Sequence, residues 1–101
     1  MTRLLAIYNH PADPAAFDRY YRHNHIPLAK KIPGLRSYSI SAGPVEALAG
    51  SAPYLIACLS FDSRADLQAA LESTAGQAAA ADLSNFASGG ATLLIYDSET
   101  V

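Results

Sequence analysis

The chain has 101 residues, half of them hydrophobic and only 16% charged, with a formal net charge of -2. That is the length of one domain, residues 1–101, and too apolar for a disordered segment. The charged fraction lies below the ~25% of ordinary globular domains, which leaves too little polar surface for a lone small globule and points to a partner subunit. With a pI near 5.8 there is no basic field to collect phosphates, and no RNP, zinc-finger or basic-helix pattern occurs, so nucleic acid is not an expected partner.

Arg3 to His10 is short, apolar and closed by Pro11, which predicts a first strand. Asp13 followed by Pro14 reads as an N-cap and a proline at the first helical position, so a helix starts at residue 14. Phe17, Tyr20, Tyr21, Asn24 and Leu28 recur at three- and four-residue steps as its inner face, with Asp18, Arg19 and Arg22 opposite. Pro27 has no N–H for the His23 carbonyl and disfavours helix at Ile26, so a kink or break is expected between His23 and Pro27. A short helical piece should then run through Lys31. Pro33-Gly34 is a turn, and Leu35 to Gly43 a second strand with Tyr38 and Ile40 on one face and Ser37, Ser39 and Ser41 on the other. A loop over 44–53 leads to a third strand, Tyr54 to Phe61, apolar on both faces except at Ser60. Ser63 caps a second helix, with Asp66 at its third position and Leu67, Ala70 and Leu71 as its stripe. Gly76 should bend or divide that helix before a further piece passes Ala81, Leu83 and Phe86 to Gly89-Gly90. Ala91 to Tyr96 is the last strand.

The order βαββαβ predicts a ferredoxin-like α+β fold, a four-stranded antiparallel sheet with helices on one face. Strands three and four are apolar on both faces, so the far face needs a cover. A second copy of the sheet is the simplest one, giving a homodimer with two sheets face to face. The apolar run Leu4 to Ile7 is too short for a signal-peptide core or a membrane span, and the single cysteine, Cys58, makes no internal disulfide. A cytoplasmic protein with no membrane partner is expected.

The densest set of polar functional groups is Tyr20, Tyr21, Arg22, His23, Asn24 and His25. Helical spacing puts Tyr21 and His25 one turn apart, so a phenol and an imidazole would point into one cavity. An imidazole titrates near neutrality and a phenol orients a carbonyl, a pair suited to enolisation, isomerisation, lactone rearrangement or dehydration. Alternatively, His25 caps the broken helix by bonding a freed carbonyl, and Tyr21 is ordinary core. His23 and His25 are two apart and point to different faces, with no ligand spacing around them, so no metal and no other cofactor is expected. Haem held by one histidine needs no local motif and stays open. Cys58 reads as a small apolar side chain rather than a nucleophile. Lys30-Lys31 is either exposed charge or a guide for an anionic substrate, and Gly89-Gly90 lacks the residues of a phosphate loop.

The run from Tyr20 to Leu35, followed by Tyr38, resembles the signature of the EthD family, named for ethyl tert-butyl ether degradation. A second block, Gly76 to Asp82, Asn85-Phe86-Ala87 and Gly90, lies in the matching order. Residues that fit the family pattern are Tyr21, His25, Pro27, Leu28, Pro33, Gly34, Tyr38, Asp82 and Phe86. The resemblance implies a dimeric α+β barrel with a small-molecule pocket between helices and sheet in each subunit. It does not choose a reaction, because the wider superfamily holds muconolactone-type isomerases, polyketide cyclases and dehydratases, cofactor-free monooxygenases and haem-handling proteins. The family's own biochemical role is largely unassigned. The absence of Trp counts against a monooxygenase that relies on one. The expected function is a small cofactor-free lyase or isomerase acting on a cyclic or aromatic-like carbonyl compound. His25 would be its acid/base, Tyr21 its catalytic partner, and Tyr38, Leu28, Cys58 and Phe86 its substrate wall. The alternative is a non-catalytic module that holds a hydrophobic metabolite or haem for an oxygenase system.

Overall fold

Alternation along four strands sorts the side chains onto a helix-covered face and an open face. The computed structural model describes residues 1–101, with strands β1 (Thr2–Tyr8), β2 (Ser37–Ile40), β3 (Leu55–Phe61) and β4 (Ala91–Asp97). They form one sheet in the order β2-β3-β1-β4, with every neighbouring pair antiparallel. Together with helices α1 (Pro14–Tyr20), α2 (Ile26–Ala29), α3 (Arg64–Glu72) and α4 (Thr74–Phe86), this is the ferredoxin-like α+β fold. The core lies between sheet and helices, where the rings of Tyr8, Phe17, Tyr21 and Phe86 meet with centroids 5.3–5.7 Å apart, mostly edge to face. No helix is long and apolar enough to cross a membrane.

Two helical expectations need correction. The first helix does not break before Pro27. The backbone stays right-handed helical through Tyr20, Tyr21, His25 and Ile26, and a π turn over Tyr21–His25 joins α1 to α2, with the Ile26 N–H bonding the Tyr21 carbonyl. A strict four-residue step drifts by about 40° per step around an ordinary α-helix, and one wide turn takes up that drift. The inner stripe is therefore Phe17, Tyr21, His25 and Ala29, all buried, while Asn24 is exposed and Leu28 only half-buried. Nor does His25 cap a helix end through its side chain.

The later helix divides at Ser73, three residues before Gly76. Ser73 is extended (ψ 159°), and its hydroxyl donates to the Ala70 carbonyl at 2.6 Å and accepts from the Gly76 N–H at 3.0 Å, closing α3 and opening α4. Gly76 has a different task. A Cβ there would stand 2.0 Å from the Ala70 carbonyl oxygen, so only glycine lets the start of α4 cross the end of α3. β2 is also shorter than the run Leu35 to Gly43 suggests, and β4 extends one residue further, to Asp97.

By register, the open face carries Arg3, Leu5 and Ile7 of β1, Ile56, Cys58 and Ser60 of β3, and Leu94 and Tyr96 of β4. The Arg3 side chain lies across part of it, donating to the Ser60 hydroxyl at 2.7 Å, while Leu94 and Tyr96 are left 45% and 40% exposed.

Candidate functional site

A cavity of about 180 Å³ lies between the sheet and the helices, and fifteen of its seventeen lining residues are hydrophobic. Its floor is the inner face of β1 and β3 (Leu4, Ala6, Ala57, Leu59), its roof is α4 (Ala79, Leu83), and its open side is the edge strand β4. Leu93 and Ile95 of that strand line the cavity yet remain 47% and 42% exposed, so they form its mouth.

Into this apolar space project the groups that carry chemistry: His25, Tyr21, Tyr38 and Tyr8. The π turn places His25 and Tyr21 on one face, ring centroids 5.3 Å apart. His25 is buried and its Nδ1 lies 3.0 Å from Oδ2 of Asp82. Asp82, on the inner face of α4, also accepts from the Tyr20 hydroxyl at 2.6 Å and the Asn85 amide at 3.0 Å. Burial raises the pKa of this carboxyl, but the bonds from Tyr20, Asn85 and His25 outweigh it and hold Asp82 below the usual carboxylate range. It is therefore an anion at neutral pH, and an anion there keeps the proton of His25 on Nδ1. Nε2 makes no hydrogen bond within the chain. Tyr20 in turn has its ionisation pushed up, chiefly because its O–H is committed to Asp82.

On the sheet side of the cavity the Tyr21 and Tyr38 hydroxyls lie 2.6 Å apart. Burial pushes the phenols of Tyr8, Tyr21 and Tyr38 above their ordinary range, so all three remain neutral donors. The site thus presents an oriented imidazole and a hydrogen-bonded phenol pair to an apolar ligand. No three His, Cys, Asp or Glu side chains gather in a metal-binding cluster.

Of the expected site residues, the structure brings His25, Tyr21 and Tyr38 together. The other three lie elsewhere. Leu28 is turned off the cavity by the π turn, and Ala29 and Ile32 line it instead. Cys58 belongs to the open face, because strand alternation gives the cavity Ala57 and Leu59; its sulfur is 3.9 Å from the Arg3 guanidinium. Phe86 packs behind His25, centroids 4.7 Å apart, and supports the ring rather than meeting a ligand. Lys30 and Lys31 are exposed and do not line the cavity. Asp82 and Tyr20 had no assigned role. Their signal was available: Ala79, Asp82 and Phe86 share one buried helical stripe, and a carboxylate inside such a stripe needs partners.

Residues 9–90 match the EthD domain. The chain is 48% identical over 103 residues to an uncharacterised 11.0 kDa protein from the thcB-thcC intergenic region of Rhodococcus erythropolis, covering 100% of this chain and 98% of that one. Among solved structures, an EthD-family protein from Bacillus halodurans C-125 superposes with a TM-score of 0.89 at 34% identity, covering 98% of this chain and 99% of the other. A dimeric ferredoxin-like protein of unknown function from Thermobifida fusca shares the fold at a TM-score of 0.70 and 16% identity, over 94% of this chain and 88% of that one.

Proposed function

The chain belongs to the EthD family, and from that premise we propose that it is a small cofactor-free lyase or isomerase that moves a proton on an apolar, cyclic or aromatic-like carbonyl compound. One observation carries this reading: His25 lines an apolar cavity with Nδ1 3.0 Å from the Asp82 carboxylate, which holds a proton on Nδ1 and makes Nε2, unpartnered in the chain, the nitrogen that would exchange a proton with a ligand. Nε2 takes a proton from the carbon next to the carbonyl. The C–H electron pair moves into the carbonyl, and the enolate oxygen that forms is held by the phenol pair. One hydroxyl of the pair donates to the other, so the accepting tyrosine's O–H remains for the ligand. The imidazolium then returns its proton to another carbon, an isomerisation, or the enolate expels a β-substituent, a lyase step.

The reading is tested by incubating the protein in D2O with a panel of cyclic enones, lactones and aromatic ketones and following α-proton exchange by mass spectrometry. His25→Gln should abolish any exchange that the protein accelerates. Exchange that survives this change at the full rate, with the protein folded, sinks the assignment.

The near-total apolarity of the cavity also suits the second reading, a module that holds a hydrophobic metabolite; ligand-dependent stabilisation without exchange would favour it. Haem fits poorly, since about 180 Å³ is below the ~300–1,000 Å³ of clefts for drug-sized ligands. The exposed apolar residues on the open face support a homodimer with sheets face to face, and the Thermobifida fusca protein is described as dimeric. The unpaired Cys58 fits a reducing cytoplasm.

A further inference from the structure

A second cleft, of about 500 Å³, opens on the other side of Tyr21, between the first helical segment and the loop over residues 41–54. Its volume falls within the ~300–1,000 Å³ of small-molecule sites. Phe17, Tyr21, Ile40, Val45, Tyr54 and Leu55 supply its apolar surface. The two charged residues of its wall, Asp18 and Arg22, stand four apart in the order that pairs acid with base along an ordinary helix. Here no ion pair joins them. The stretch from Asp18 to Arg22 crosses from α1 into the π turn, and Asp18 instead accepts the Tyr54 hydroxyl on Oδ1 at 2.7 Å. Asp18 and Arg22 are both exposed, and the Arg22 guanidinium and Oδ2 of Asp18 have no partner in the chain. The remaining polar side chains are engaged: His10 Nε2 with the Ala52 carbonyl at 3.2 Å, and the Ser41 hydroxyl with the Ile56 N–H at 3.1 Å.

We propose that this cleft is a second binding site, for a small zwitterion with an apolar body, of which an α-amino acid with an apolar side chain is the type. The separation of Asp18 from Arg22 decides the class. A ligand carrying only a carboxylate would gain Arg22 but face Asp18, and a simple amine would meet the reverse. A zwitterion answers both charges, its carboxylate on the guanidinium and its ammonium on the free carboxylate oxygen, with its body against Tyr54, Val45 and Phe17. The site shares only Tyr21 with the His25 cavity, and neither His25 nor Asp82 lines it.

The test is an NMR titration of the whole protein with L-leucine and L-phenylalanine. Saturable shifts are expected at Val45, Tyr54 and Leu55 and not at Leu93 or Ile95. 3-Phenylpropionate and 2-phenylethylamine should each bind at least about tenfold more weakly than phenylalanine. Asp18→Asn and Arg22→Gln should each cost about tenfold or more in affinity, while Arg19→Gln, on the exposed side of α1, should change nothing. Shifts confined to Leu93 and Ile95, equal binding of phenylpropionate, or no saturable shift at about 10 mM, enough to fill most of a site with a Kd of about 1 mM, would each overturn it. His25→Gln should leave this binding intact, so its failure is separable from failure of the proton-transfer reading.

Discussion

Replacing Asp82 by Asn changes one atom of the site and should reverse the sense of its central hydrogen bond. The amide oxygen can still accept from Tyr20 and Asn85, as Oδ1 does at 2.6 and 3.0 Å. The amide nitrogen then stands where Oδ2 stood, 3.0 Å from Nδ1 of His25, and can only donate. The imidazole must leave Nδ1 bare and carry its proton on Nε2, the nitrogen left for the cavity, so the base becomes a donor. Loss of tautomer control of this kind costs on the order of 10⁴ in rate in a catalytic triad, and a fall of about 10²–10⁴ in α-proton exchange is expected here. Stability should suffer less. Hydrogen bonds to a charged acceptor contribute about 1.5–3 kcal/mol against 0.5–1.5 for neutral ones, so weakening this set costs about 2 kcal/mol, or roughly 8–16 °C in Tm at this chain length. Nitrogen-15 NMR of His25 reads the tautomer directly, alongside the exchange rate and thermal unfolding at fixed protein concentration. If Asp82→Asn keeps the Nδ1–H form and the parent rate, Asp82 does not control His25 and the proposed mechanism fails.

Gly76→Ala puts a Cβ against the Ala70 carbonyl, backbone on backbone, and should destabilise the fold by about 3 kcal/mol or more; a denaturation midpoint close to the parent's would show that α3 and α4 part easily. Asp82 titrates lower in the folded chain than unfolded, so its contribution is complete above the unfolded pKa of about 4 and is lost as pH falls through the lower folded value. Acid unfolding should therefore steepen below about pH 4, and Asp82→Asn should flatten that slope; an unchanged slope would remove Asp82 as its source. Leu94→Lys sets a charge in the middle of the open face and should convert a dimer into a monomer by analytical ultracentrifugation, whereas a dimer of unchanged affinity would place the interface elsewhere.

Which parts of this molecule were legible in advance follows from how local their causes are. The caps at Asp13 and Ser63 rest on one side chain and N–H groups three residues on, and both bonds form at 3.1 Å. Strand order followed from counting elements, and Tyr38 and Ile40 face the helices because alternation is rigid. The same alternation argued against Cys58 as a pocket residue, since Ala57 and Leu59 had to take the other face. Pro27 was a different kind of signal. It removes a donor without saying whether the backbone answers with a break or with one wide turn, and that choice decided whether Asn24 and Leu28 or His25 and Ala29 face the core. Asp82 was hidden for a related reason: its partners, Tyr20 and His25, lie about sixty residues away in sequence. Nothing local to α4 distinguishes a buried, triply bonded carboxylate from an exposed one except its place in the stripe of Ala79 and Phe86.

The apolar surplus of the composition divides along β4 into two surfaces with different consequences. Leu94 and Tyr96 point to the open face, where a second sheet would cover them. Leu93 and Ile95 alternate to the helix side, where sheet-on-sheet packing cannot reach, and there they border the cavity. An edge strand apolar on both faces and without charge until Asp97 is an aggregation hazard if left bare. Dimerisation answers only half of that hazard. Under the proposed function a ligand lying at the cavity mouth would answer the other half, which would make the residues that look too hydrophobic for a monomer in part the rim of a binding site, and ligand binding should then protect β4 amides from hydrogen exchange beyond what dimerisation alone achieves.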